Sequence, residues 1–252
     1  MKYKLIALDI DDTIVQEASH IPSQKVIDTL LRISKKIHVI ISTARARSEF
    51  EVFKKNAGLP PNFNIVENGA KVLSPDGNVE YELTIPHNEI QKILNITEPY
   101  FEEVGFCIDE NWDNEISDTK DKAVNALSYT CTDEMQGYLL KNALLDAGLD
   151  YNINVGRHWS IPGWGAVFIS HKNASKGKGL AYVQKKLNVK KEETIAIGDG
   201  ATDLMMFPYA GLKVAMENGE QLLKDEADVI CPPVSEDGVL RIIVEYILKE
   251  MK

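Results

Sequence analysis

Short, nearly unbroken apolar runs at residues 4–8, 37–41, 64–66, 194–197 and 212–215 alternate with helical segments at both ends of this chain, but not in its middle. A strand that is apolar on every residue must be covered on both faces. Strands alternating with helices achieve that in a parallel, doubly wound sheet. Ile21-Pro22-Ser23 starts a helix whose Val26, Ile27, Leu30, Leu31 and Ile33 follow helical spacing. Gly58 and the Pro60-Pro61 pair stop another that begins near Ser48. Pro75-Asp76-Gly77 closes a hairpin, and further helices are predicted over 174–187, around Asp203, and over 220–224 and 239–248.

Between these halves the pattern changes. Helices over 87–103 and 133–147, with strands over 104–109, 151–155 and 166–170, predict a small α+β unit; the charged stretch 112–122 fits no element. The chain therefore reads as one α/β domain, residues 1–81 and 172–252, with an α+β domain inserted at residues 82–171.

Composition narrows what such a protein can bind. With 252 residues, 44% of them apolar, the chain is long enough for a sizeable core. A net charge of −10 without a local basic patch argues against a nucleic-acid partner. No segment approaches the roughly 20 apolar residues of a membrane span, and the apolar N-terminal run is too short for a signal peptide. The expected location is cytoplasmic. Cys107, Cys131 and Cys231, odd in number and widely spaced, fit buried free thiols better than a disulfide frame or a zinc site.

The chemistry begins where the first strand ends. Asp9, Asp11 and Asp12 follow the run 4–8 directly. On an extended chain Asp9 and Asp11 point the same way, about 6–7 Å apart, and two anions so placed repel. A hard divalent cation, Mg2+ above all, relieves that repulsion at Asp9 and leaves Asp11 free to carry a proton. A lone Asp-x-Asp more often caps a turn; recurrence decides otherwise. In a parallel sheet all strands deliver their carboxyl ends to one edge, so Asp9, Asp11, Thr43, Lys176 and Asp199 can meet there. Asp9 suits a nucleophile that accepts a phosphoryl group, and Asp11 a general acid and base. Thr43 suits a hydroxyl donor to phosphate, and Lys176 at a helix start a cation backed by backbone N–H groups. Asp199, with Asp203 behind it, suits the shell of a Mg2+.

These motifs resemble those of the haloacid dehalogenase superfamily of phosphohydrolases, and the position of the insert resembles its type II, Cof-like (subclass IIB) branch of sugar-phosphate phosphatases. Asp9-Ile10-Asp11-Asp12-Thr13, Ser42-Thr43-Ala44-Arg45, Ser175-Lys176-Gly177 and Gly198-Asp199-Gly200-Ala201-Thr202-Asp203 match the family's four motifs in order. The resemblance implies a Rossmann-like doubly wound parallel-sheet core with a mobile α+β cap of the C2 type. It also implies Mg2+ held by Asp9, the Asp11 backbone carbonyl and Asp199, with Asn68 at the rim. Three positions depart from the pattern: Asp12 and Ala44 stand where glycine is usual, and Thr202 where asparagine is usual. Thr202 is expected to replace the asparagine's phosphate contact through its hydroxyl.

Other residues carry two readings. Arg45 suits a structural ion pair as readily as a substrate contact, and Asn218 suits a helix cap. Arg157, His158, Trp159 and Trp164 of the insert are candidate substrate contacts, although tryptophan is equally a core residue. Ser175-Lys176-Gly177-Lys178-Gly179 lacks the spacing of a nucleotide-binding P-loop. The function expected is a Mg2+-dependent phosphomonoesterase acting on a small sugar or polyol phosphate through an aspartyl-phosphate. The alternatives are a phosphomutase on the same scaffold and a catalytically silent regulator that binds a phosphate ligand. A homo-oligomer stays open.

Overall fold

The computed structural model describes residues 1–16, 21–114, 122–158 and 160–251. The N-terminal half of the core runs β1 (Leu5–Leu8), α1 (Gln24–Ile33), β2 (His38–Ser42), α2 (Arg47–Ala57), β3 (Asn64–Val66), β4 (Lys71–Leu73) and β5 (Val79–Glu82). The insert follows as α3 (His87–Thr97), β6 (Glu103–Ile108), β7 (Asn111–Asp113), β8 (Val124–Cys131), α4 (Glu134–Asp146), β9 (Tyr151–Arg157) and β10 (Gly165–His171). The chain returns to the core through α5 (Lys176–Leu187), β11 (Thr194–Gly198), β12 (Leu212–Met216), α6 (Gln221–Glu226), β13 (Val229–Cys231) and α7 (Val239–Tyr246).

The core sheet has the order β13-β12-β11-β1-β2-β3-β4-β5. It is parallel from β13 to β3 and ends in the antiparallel β3-β4-β5 meander. β1 at its centre shows why the apolar runs are unbroken. Ile6 and Leu8 join the cluster formed with Leu30, Phe50 and Ile242, on the side of α1, α2 and α7. Leu5 and Ala7 join Leu180, Val183, Met206 and Leu223 on the other side. Leu5, Ile6 and Leu8 are wholly buried, and such side chains each contribute about 1.5–3 kcal/mol. The ends of the helices follow local chemistry: Ser23 caps α1 by accepting from Val26 N, and Gly58 ends α2 in the left-handed conformation.

The cap sheet is antiparallel, in the order β7-β6-β8-β10-β9. One face packs Phe106, Leu127, Tyr129, Val155, Val167 and Ile169 against Ile90, Ile93, Leu140 and Leu144 of α3 and α4. The other face turns to the core. There Cys107 and Ala126 bury Ala46, with Trp112 beside them.

Several expectations are corrected. β8, the middle strand of the cap, matches no predicted element, and β7 overlaps the start of the charged stretch 112–122. The helix predicted over 87–103 ends at Thr97, since Pro99 leads only a 3-10 turn before β6 begins. The segment carrying Asp203 is a 3-10 turn, Asp203–Tyr209, with Pro208 inside it, and no α-helix. The three cysteines are buried and free, as expected.

Candidate active site

Asp9 is the first residue beyond β1, held there by its N–H donating to Ile197 O at 3.1 Å. Lys176 opens α5, whose N-cap Ser175 accepts from Lys178 N. Its ammonium, 2% exposed, lies 2.7 Å from Oδ1 of Asp9 and 2.7 Å from Oδ1 of Asp203. The other oxygen of Asp203 accepts from the backbone N–H groups of Asp199 and Gly200, each at 3.0 Å. Asp203 thus fixes both the lysine and the loop that carries Asp199. A Cβ at Gly198 would lie 2.3 Å from that of Asp203, so the loop closes only over glycine. Asp199 accepts from Thr13 Oγ1 at 3.2 Å, which ties the loop after β11 to the loop after β1.

Three carboxylates, of Asp9, Asp199 and Asp203, each present an oxygen within 4.8 Å of the other two. Burial pushes Asp9 up to about 7; the Lys176 charge opposes this, and the charges of Asp203 and Asp11 add to it. Burial, then the charges of Asp203, Asp9 and Asp12, raises Asp199 well above the ordinary carboxylate range. At Lys176 burial works against the ammonium, but Asp203 and Asp9 outweigh it and its pKa is raised. One lysine does not balance three acids. Since both Asp203 oxygens are engaged, Asp9 and Asp199 are the carboxylates left for a hard divalent cation, and their suppressed ionisation is what such an ion would reverse.

Asp11 lies differently. Its carboxylate, about half exposed, is gripped by Arg45 through Nε at 3.0 Å and Nη2 at 2.6 Å. Its side chain does not join the acidic cluster, leaving the backbone carbonyl as the group the resemblance assigns to the metal. Thr43, wholly buried, accepts from Arg45 N at 3.1 Å, so its own hydroxyl proton is left to donate. Asn68 donates its N–H to Thr43 O at 3.0 Å, and the adjacent Gly69, at φ +86°, lies so close to Ser175 that a Cβ would meet its carbonyl oxygen at 2.1 Å. Thr202 precedes the Asp203–Tyr209 turn without capping it through its side chain.

The departures from the motif pattern have simple causes. Asp12 has φ 54°, the left-handed conformation that favours glycine and that aspartate tolerates better than most residues. Ala44 takes no positive φ, so nothing there demands glycine.

In the cap, Arg157 reaches the core. Its N–H donates to Glu220 Oε1 at 3.3 Å, and its Nη2 donates to Asn218 O at 3.3 Å and lies 3.9 Å from Asp199 Oδ2. His158 turns elsewhere: Nδ1 accepts from Ser160 N and Ile161 N, and Nε2 lies 3.3 Å from Thr130 Oγ1. Trp164 closes the same turn, its carbonyl accepting from His158 N at 2.8 Å. Trp159 lies outside the described residues.

Sequence reasoning missed several members. Thr13 ends the first motif yet was given no role. Asn218 does not cap α6; its Nδ2 donates to Asp12 O at 2.8 Å and its Oδ1 accepts from Val234 N. Lys71, 2% exposed, meets Glu82 at 3.1 Å, Glu67 at 3.4 Å and Glu110 at 3.5 Å. Arg47 meets Glu110 at 2.6 Å, and Ser48 N donates to Glu110 O. A turn of the cap is thereby tied to the start of α2, next to Arg45.

The sequence profile of the haloacid dehalogenase-like hydrolases matches residues 6–140 and 113–243. The chain belongs to that family. A 5-amino-6-(5-phospho-D-ribitylamino)uracil phosphatase of Bacillus subtilis is 29% identical over 265 residues, covering 96% of this chain and 97% of that protein. A phosphoglycolate phosphatase of Staphylothermus marinus is 28% identical over 247 residues, covering 97% and 98%. The structure of a haloacid dehalogenase-like hydrolase from B. subtilis superposes with a TM-score of 0.84 at 20% identity over 98% of this chain and 100% of that one. A haloacid dehalogenase subclass IIB sugar phosphatase does so with 0.75 at 22% identity, over 96% and 98%. The expected fold, an α/β core with an inserted cap, is that of these haloacid dehalogenase-like hydrolases. Among the described residues no helix is long and apolar enough to cross a membrane.

Proposed function

We propose that this phosphatase is a Mg2+-dependent phosphomonoesterase that transfers the phosphoryl group of a small sugar or polyol phosphate to Asp9 and then to water. The observation that carries the reading is the bridge from Lys176 to Asp9 and Asp203. Lys176 engages one lone pair of Asp9 Oδ1 and leaves the other open to a cation, so Oδ2 is the oxygen left to attack, and the carboxylate cannot rotate without breaking a buried ion pair.

In the first step the bond from Asp9 Oδ2 to phosphorus forms as the bond from phosphorus to the ester oxygen breaks. Asp11 gives its proton to the departing alkoxide. In the second, Asp11 takes a proton from water, whose oxygen attacks phosphorus, and inorganic phosphate leaves with Asp9 restored as carboxylate. Arg45 holds Asp11 at the rim, so its carboxylate must leave that grip to reach the ester oxygen. Thr43 donates to a phosphoryl oxygen, with Lys176, the N-terminus of α5 and Thr202 as the other phosphate contacts. Mg2+, held by Asp9, Asp199 and the Asp11 carbonyl, would neutralise the phosphoryl charge.

The test is product analysis with a panel of phosphate esters. Inorganic phosphate released with Mg2+, lost on chelation and regained on adding the ion back, is the expected result. An isomeric sugar phosphate without free phosphate would mean a mutase, and no product from any ester would remove the enzyme reading.

A further inference from the structure

The face of the cap sheet turned to the core carries three cross-strand rows. In the first, Cys107 pairs with Ala126, Ala126 with Ser170, and Ser170 with Asn152. Cys107 and Ala126 press on Ala46 of the core, and Asn152 donates to Ala174 O at 2.6 Å, so this row is seated. The third row ends at Gly156, where a Cβ would lie 3.4 Å from that of Ala201 and 2.7 Å from Glu220 Oε1. That row abuts the loop of Asp199. The middle row, Gly105, Ser128, Phe168 and Asn154, lies between these two points of contact, and β8, which carries Ser128, packs against the Glu67–Gly69 turn of the core.

Ser128 and Asn154 in that row are each 7% exposed. The hydroxyl of Ser128 and the amide nitrogen of Asn154 have no hydrogen-bond partner among the described residues, and neither does the amide nitrogen of Asn68 in the Glu67–Gly69 turn. A buried polar group left unpaired is costly, and such groups on a face turned to the core mark a site whose partner comes from outside the chain. Phe168 stands between Ser128 and Asn154, with Trp112 in an edge-on contact at 6.4 Å. No lysine or arginine stands on these three rows. Arg157, at the end of β9, is turned to Asn218 and Asp199 instead.

We infer that Ser128, Phe168 and Asn154 form the leaving-group subsite and that it selects a neutral, hydroxyl-bearing leaving group over one with a carboxylate or a second phosphate. This rests on the phosphatase reading above. Ser128 and Asn154 hydrogen-bond the hydroxyls, and Phe168 packs on the carbon chain. These rows offer a second anion no cation of their own, so its burial against them is costly.

The test compares kcat/KM for sorbitol 6-phosphate, phosphoglycolate and p-nitrophenyl phosphate in the wild type, Ser128→Ala, Asn154→Leu and Asn154→Lys, each checked for folding by circular dichroism. The wild type should prefer sorbitol 6-phosphate to phosphoglycolate at least tenfold. Ser128→Ala and Asn154→Leu should each lower the ratio of sorbitol 6-phosphate to p-nitrophenyl phosphate by roughly tenfold, chiefly through KM, and Asn154→Lys should shift preference towards phosphoglycolate. Equal losses on all three substrates, or wild-type preference for phosphoglycolate, would overturn the inference. Should no ester be hydrolysed, the phosphatase reading fails by itself. Calorimetric binding of sorbitol 6-phosphate then decides the subsite, since equal affinity in wild type and variants would refute it and a roughly tenfold weakening would uphold it.

Discussion

Lys176 and Asp9 are separated by 167 positions in sequence and by 2.7 Å in the fold. Removing the lysine leaves Asp9 and Asp203 buried side by side without their cation. Breaking a buried pair from one side costs about 3–5 kcal/mol, and losing a preorganised charge at a reacting phosphoryl group costs about 100–1,000-fold in kcat. Lys176→Met should show both, by urea unfolding and by steady-state kinetics. A variant that loses neither would show the pair to be incidental.

Asp9 also predicts a pH signature that depends on metal. Folded, Asp9 titrates at about 7 against an ordinary 3.8. Between those values the folded state keeps a proton that the unfolded state has given up, so Asp9 lowers the stability of the metal-free protein as pH rises from about 4 to about 7, and its contribution levels off above. The raised pKa of Asp199 acts in the same direction. Mg2+ binds the ionised carboxylates and cancels the loss, so its gain in Tm should be larger at about pH 8 than at about pH 5. Thermal unfolding in chelator and in Mg2+ across that range checks this, and a gain that shrinks with rising pH would contradict it.

The charge network between core and cap separates two substitutions that look alike on paper. Glu67 is wholly buried beside Lys71, whereas the Glu110 side chain is 40% exposed. Lys71→Met strands Glu67 and should cost about 3–5 kcal/mol. Glu110→Gln should cost about 1 kcal/mol or less, because solvent already screens that pair. Denaturant midpoints at equal m-value measure both.

Gly69 predicts a steric failure. At φ +86°, with Ser175 O only 2.1 Å from where a Cβ would sit, Gly69→Ala must part the rim turn from the start of α5. The expected loss is about 1–3 kcal/mol from the backbone alone, with kcat falling as Lys176 shifts. Unchanged kcat would mean that the rim turn does not position the lysine.

Much of the core was legible because its signals are local. An apolar run buried on both faces of β1 can be read from four residues, and Ser23 and Gly58 mark helix ends within one turn. The meeting of Asp9, Lys176, Asp199 and Asp203 was legible for a topological reason, since parallel strands share one carboxyl edge. What escaped was set by packing at a distance. β8 alternates Leu127, Tyr129 and Cys131 with Ala126, Ser128 and Thr130, and its small polar residues conceal that both faces are buried. Lys71 in a short strand reads as an edge lysine; the approach of Glu67, Glu82 and Glu110 makes its burial tolerable. Asn218 shows the same limit, for its partners Asp12 and Val234 lie on separate loops.

On the proposed mechanism Asp9 carries the phosphoryl group. The direct measurement is acid quenching during turnover of a good ester in Mg2+, followed by mass analysis of the peptide containing Asp9. One hydroxylamine-sensitive phosphoryl group is expected on Asp9 in the wild type, and neither phosphorylation nor turnover in a folded Asp9→Asn variant. An unmodified Asp9 together with an Asp9→Asn variant that still releases phosphate would contradict it.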